Sequence, residues 1–123
     1  MFHIFIETHF SAGHHLRNYP GDCEFPHGHN WKVQVKVEAD ALDELGMGVD
    51  FRQVKNAVAK VMAELDHRNL NEHPEFLERN PSSENIAVFI FHSLRKELTT
   101  DRYRPHSVTV YETDRSGVTY FAD

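Results

Sequence analysis

Apolar and polar residues alternate along two stretches of this chain. From Phe2 to Phe10, the residues Phe2, Ile4, Ile6 and Phe10 share one face of an extended segment. From Trp31 to Glu38, the residues Trp31, Val33, Val35 and Val37 alternate with Lys32, Gln34, Lys36 and Glu38. A period of two is that of a strand with one buried and one wet face. The period then lengthens. After the turn Leu45-Gly46-Met47-Gly48, Asp50 can cap a helix that carries Phe51, Val54, Val58, Val61 and Leu65 at helical spacing and ends near Asp66-His67. A second helix is expected after Pro81-Ser82-Ser83-Glu84, capped by Ser82 or Ser83, with Ile86, Phe89, Ile90 and Leu94 on its buried face. Two more strands, Ser107 to Glu112 and Val118 to Phe121, read as a hairpin joined by residues 113–117, with Gly117 available for a positive φ.

The order β-β-α-α-β-β predicts an α+β fold for residues 1–123 as a single domain: a four-stranded antiparallel sheet with both helices on one face. Such a sheet leaves its other face and both edges open, so other copies of the chain are expected to cover them. At 123 residues, with no linker, repeat or low-complexity tract, one core is expected.

Charge narrows the partners. Thirteen Lys and Arg stand against nineteen Asp and Glu, a net charge of −6 without a basic run, which argues against nucleic acid. No apolar stretch approaches the roughly 20 residues that span a bilayer, and Met1 leads into Phe2-His3-Ile4-Phe5-Ile6 without a signal-peptide pattern. No membrane partner and a cytoplasmic location are the expectation. The single cysteine has no internal disulfide partner, which leaves it available as a nucleophile, a base or a ligand.

Residues 11–30 read as a loop that holds the chemistry, above all Cys23-Glu24-Phe25-Pro26-His27-Gly28-His29. Two imidazoles two apart in an extended segment point the same way and can grip one metal ion. His14 and His15 are the nearest candidates for a third donor. Three neutral imidazoles leave a fourth tetrahedral position open, the arrangement of catalytic rather than structural zinc. Near such a dication the Cys23 thiolate is favoured and can take a proton from carbon. Asp66-His67 offers a second proton-transfer pair, although such doublets at helix ends are mostly capping and dipole features. Glu112 shares a strand face with Val108 and Val110, so its carboxylate either closes a salt bridge or accepts from the N–H edge of a pterin-like ring.

Five motifs in order resemble one family. Phe10-Ser11-Ala12-Gly13-His14, Cys23 four residues before His27-Gly28-His29, Leu65-Asp66-His67-Arg68-Asn69-Leu70, Pro81-Ser82-Ser83-Glu84-Asn85 and Val110-Tyr111-Glu112-Thr113 are similar to the 6-pyruvoyl-tetrahydropterin synthase and 6-carboxytetrahydropterin synthase (QueD) family of the tunnelling fold. The resemblance covers essentially the whole chain. It implies Zn2+ on His14, His27 and His29, Cys23 as catalytic base assisted by Asp66 and His67, and Glu112 anchoring the pterin. It also implies a substrate-binding segment at Ser82, Ser83 and Glu84, and a homohexamer built from two trimers.

The Cys23-to-His27 spacing resembles the members that convert 7,8-dihydroneopterin triphosphate to 6-carboxy-5,6,7,8-tetrahydropterin, releasing acetaldehyde and triphosphate on the route to 7-deazaguanine and queuosine. Glu24 adds a second pattern. Members with Glu-x-x-His-Gly-His form 6-hydroxymethyl-7,8-dihydropterin for folate synthesis, and here both patterns coincide, so one chain could run both lyase reactions; alternatively Glu24 is an ordinary solvated charge. A 6-pyruvoyl-tetrahydropterin synthase activity is a further alternative. Arg17, Lys32, Arg68 and Arg115 are the candidates for the triphosphate, while His3, His9, His73, His92 and His106 read as surface or packing residues. Two other classes compete. A cupin-type oxygenase would need a glutamate where Val33 stands, and a non-catalytic zinc-stabilised module would unfold without its metal.

Overall fold

The computed structural model describes residues 1–19 and 27–122. Its first two strands, β1 (Phe2–His14) and β2 (His27–Ala39), pair antiparallel along their whole length, from Phe2 opposite Ala39 to His14 opposite His27. Both run further than alternation of apolar residues predicted. Residues 11–14 and 27–30, read above as loop, continue the ladder with small and histidine residues in place of aliphatic ones.

Helix α1 (Phe51–Leu65) starts where Asp50 accepts from the Arg52 N–H, and it buries Val54, Ala57, Val58, Val61, Met62 and Leu65. Phe51, expected on that face, is exposed instead, because it sits at the first helical position ahead of the buried stripe. Directly after α1 the chain forms β3 (Arg68–Asn69), which runs parallel to Ala12–Gly13 of β1. Two short 3-10 turns, Leu70–Glu72 and Pro74–Phe76, lead to α2 (Ser83–Arg95), capped by the Ser82 hydroxyl on the Asn85 N–H. Strands β4 (Tyr103–Thr113) and β5 (Ser116–Phe121) close the chain.

The sheet is therefore five-stranded and mixed, ordered β3-β1-β2-β4-β5, where four antiparallel strands were expected. The extra strand is two residues long, too short to leave a periodic signature. The α+β architecture and the placement of both helices on one face stand. Ile6, Phe10, Trp31, Val33, Val35, Val37, Val108 and Val110 from the sheet join Val54, Val58, Leu65, Ile86, Ile90, Phe91 and Leu94 from the helices in one buried cluster.

Strand β4 departs from a regular ladder twice. Lys36 faces Ser107 while Val37 faces Pro105, so His106 is an extra residue against β2; Tyr111 faces Gly117 while Thr113 faces Ser116, so Glu112 is an extra residue against β5. Such bulges re-aim side chains. Gly117 has no positive φ, contrary to expectation; among the described glycines only Gly46 does. Gly117 is needed for close approach, since a Cβ there would lie 2.7 Å from the Val110 carbonyl oxygen, beside the bulge at Glu112.

Candidate active site

The helix-facing side of the sheet changes chemistry at one end. Cross-strand pairs Phe10–Trp31, Ala12–His29 and His14–His27 follow one another on that side, so the apolar stripe runs directly into histidines. Trp31, fully buried, stacks on Phe10 at 5.8 Å between centroids and meets the rings of His14 and His29 edge-on at 4.9 and 5.3 Å. It forms the floor that fixes both imidazoles. The bulge in β4 brings Glu112 to the same place, with Oε1 3.1 Å from His29 Nε2 and Oε2 accepting from the Ser83 hydroxyl at 3.4 Å.

His14, His27, His29 and Glu112 each offer a ligand atom within 4.8 Å of the others, a set that could hold a metal ion. His14 is the most deeply buried of the four. Its Nδ1 meets the Pro81 carbonyl at 2.8 Å; a carbonyl only accepts, so Nδ1 carries the proton and Nε2 presents a lone pair. That Nε2 is buried without a hydrogen-bond partner, whereas the Nε2 of His29 has the Glu112 carboxylate at 3.1 Å. Orphaned buried nitrogens are costly unless something absent from a protein-only structure completes them. Burial lowers the pKa of both residues, outweighing the Pro81 bond at His14 and the Glu112 charge at His29. Both rings are thus neutral near pH 7, the form that ligates. The donor set fits a borderline divalent metal such as zinc.

A cleft of about 640 Å³ opens over this cluster, lined by Ser11–His14, His27–Asn30 and His67–Asn69. Its far wall is built by the turn that leaves α1. Asp66 caps the helix and accepts from the Ser11 N–H at 2.8 Å; His67 takes a left-handed conformation with φ 57°, and its N–H donates to the Ser11 carbonyl. The Asp66 carboxylate then lies 3.0 Å from His67 Nδ1. For a residue other than glycine that conformation costs on the order of 1 kcal/mol, which the strand pairing on either side offsets. His67 thus lines the cleft, with Asp66 paired to it.

The other residues singled out from sequence divide. Ser82 is the α2 cap, Ser83 touches Glu112, and Glu84 is exposed. Of the four cations, Arg68 lines the cleft, whereas Arg17 is committed to the carbonyls of Asn71, Phe76 and Arg79, a structural role. Lys32 pairs with Glu7 and lies over Tyr111, and Arg115 sits in the exposed β4–β5 turn. His15 stays out of the cluster, its backbone tied to the Asn71 side chain. Cys23 and Glu24 lie outside the described residues. The Pro81 carbonyl was missed from sequence, because a backbone acceptor leaves no mark on residue type.

A family profile described as 6-pyruvoyl tetrahydropterin synthase matches residues 3–123. The chain belongs to this pterin synthase family. It is 30% identical to 6-carboxy-5,6,7,8-tetrahydropterin synthase of Rickettsia typhi over 123 aligned residues, covering 85% of this chain and 88% of the relative. It is 37% identical to dihydroneopterin monophosphate aldolase of Pyrococcus furiosus over 98 residues, 80% and 79% of the two chains. Among solved structures, 6-pyruvoyl tetrahydropterin synthase of Caenorhabditis elegans superposes with a TM-score of 0.86 at 27% identity, covering 99% of this chain and 96% of that one. The architecture is the tunnelling fold of the pterin synthases. Relatives at similar distance carry three different activity names, so family membership leaves the reaction to be decided at the site.

Proposed function

We propose that this chain is a zinc-dependent 6-carboxy-5,6,7,8-tetrahydropterin synthase acting on 7,8-dihydroneopterin triphosphate, a lyase that releases acetaldehyde and triphosphate. The observation that carries the reading is the orphaned Nε2 of His14, grouped with ligand atoms of His27, His29 and Glu112 that lie within 4.8 Å of one another, at the floor of a cleft of small-molecule size. Zinc held by the three histidines would supply Lewis acidity toward the hydroxyls of the substrate side chain. Glu112, steadied by Ser83, offers carboxylate oxygens to the N–H and NH2 edge of the pterin ring and so orients that side chain. Cys23 removes a proton from side-chain carbon. The Asp66–His67 pair, on the opposite wall, exchanges protons with the substrate hydroxyls, with Asp66 holding the imidazole tautomer. Arg68 faces the triphosphate.

The adjacent Glu24 supports a second reading, release of 6-hydroxymethyl-7,8-dihydropterin, alone or beside the first. A 37% identical relative named as a dihydroneopterin monophosphate aldolase makes it chemically close at hand. Product analysis by mass spectrometry on the zinc-loaded chain with 7,8-dihydroneopterin triphosphate separates them. Carboxytetrahydropterin with acetaldehyde, lost in Cys23→Ala and retained in Glu24→Ala, supports the first reading. Hydroxymethyl-dihydropterin lost in Glu24→Ala supports the second, and no product from either variant or parent rejects both.

The assembly belongs to the same proposal. Strand β3 covers only Ala12–Gly13 of the β1 edge, β5 is the other sheet edge, and Phe5 and Phe121 are 51% and 56% exposed. Long bare edges with exposed aromatics favour pairing with further copies. A homohexamer of two trimers is expected, and light scattering at micromolar concentration should return six chain masses; a monomer there rejects it.

A further inference from the structure

We propose that His3, Glu38 and His106 form a second site for a borderline divalent transition-metal ion, on the face of the sheet that the helices leave open. The three come from three neighbouring strands. His3 of β1 pairs directly with Glu38 of β2, and His106 reaches them as the extra residue of the bulge where Val37 skips from Ser107 to Pro105. Their ligand atoms lie within 4.8 Å of one another. The two imidazoles sit 4.2 Å apart at 36°. His106 Nδ1 is 3.0 Å from the hydroxyl of buried Ser107, a partner that fixes the ring and leaves Nε2 for a ligand.

Strand β4 thus uses one bulge at each end to present one ligating group: Glu112 to the helix side, His106 to the open side. Two imidazoles and a carboxylate suit zinc, cobalt or nickel and leave further positions for water or an exogenous ligand. Two cations set the competition. Arg104 Nη1 is 3.2 Å from Glu38 Oε1, but the same guanidinium is held bidentately by Asp40 at 2.8 and 3.3 Å. One Glu38 oxygen can stay on Arg104 while the other ligates. Lys36, two residues along the same face of β2, adds positive charge that makes this site weaker than the cleft. Ten residues of extended β1 lie between His3 and His14, which are roughly 35 Å apart, so the two sites share no ligand.

The test is zinc stoichiometry by equilibrium dialysis and elemental analysis on the untagged, metal-stripped full chain, with circular dichroism to establish folding. The His3→Gln/His106→Gln variant is expected to bind one zinc fewer per chain than the parent, and Glu38→Gln to weaken the same equivalent at least tenfold. The His27→Gln/His29→Gln variant is expected to keep that equivalent, so failure of the cleft reading leaves this result intact. Folded His3→Gln/His106→Gln protein that binds as much zinc as the parent, with the same affinities, overturns the proposal. So does loss of all zinc in His27→Gln/His29→Gln.

Discussion

His14 spends its Nδ1 on the Pro81 carbonyl, and that bond turns a core-face histidine into an oriented lone-pair donor. Asp66 is used in a similar double way. One oxygen accepts the Ser11 N–H and the other faces His67, and the Ser11 bond chiefly, with help from His67, holds its carboxyl below the ordinary aspartate range against the opposing effect of burial. A carboxylate with a depressed folded pKa adds stability above its unfolded value, near 3.8, and loses it as pH falls through the folded value. Asp66→Ala is therefore expected to lower the urea midpoint at pH 7, with the gap to the parent narrowing below pH 3.8. A gap that stays constant down to pH 3 would show that Asp66 contributes through packing alone. The histidine cluster and the Asp66–His67 contact were legible from sequence because their residue types are scarce and closely spaced. His3 and His106 were not, since they lie 103 positions apart and meet only through a cross-strand register.

At the scale of elements, alternation and helical spacing located every long strand and both helices, and Asp50 and Ser82 marked their starts. What escaped was set by backbone pairing instead of side-chain pattern. The ends of β1 and β2 carry Ser, Gly and His where a strand signature wants aliphatics, and their extended form comes from the ladder between them. Strand β3 exists because α1 ends against Ser11, and the β4 bulges depend on what stands opposite. Gly117 belongs to this group. A methyl group there would press on the Val110 carbonyl and on Tyr111 Cα, so Gly117→Ala must push β5 away from β4. Overpacking of this kind costs about 1–3 kcal/mol, and here it loosens the bulge that aims Glu112. The variant is expected to lower the denaturation midpoint accordingly and to raise KM for the pterin substrate more than it lowers kcat, as loss of uniform binding does. Unchanged stability would mean that the hairpin opens without strain.

Across the molecule, the histidine cluster is an extension of a core that is complete without it. Trp31, Phe10 and Leu65 are packed among sheet and helix residues, and the Pro81 bond holds His14 with protein atoms alone. Metal removal should therefore abolish turnover while leaving a folded chain. The size of the effect follows from linkage. Zinc present at a hundred times its dissociation constant adds about 2.7 kcal/mol, which in a chain of this length raises Tm by roughly 10 °C. Thermal melts with excess zinc and with a chelator are expected to show two cooperative transitions separated by about that interval, with unchanged far-ultraviolet dichroism before each. A chelated chain that has already lost its helices at room temperature would instead identify a fold built around its metal, the zinc-stabilised module that the same histidines allow, and the lyase reading would lose its physical basis.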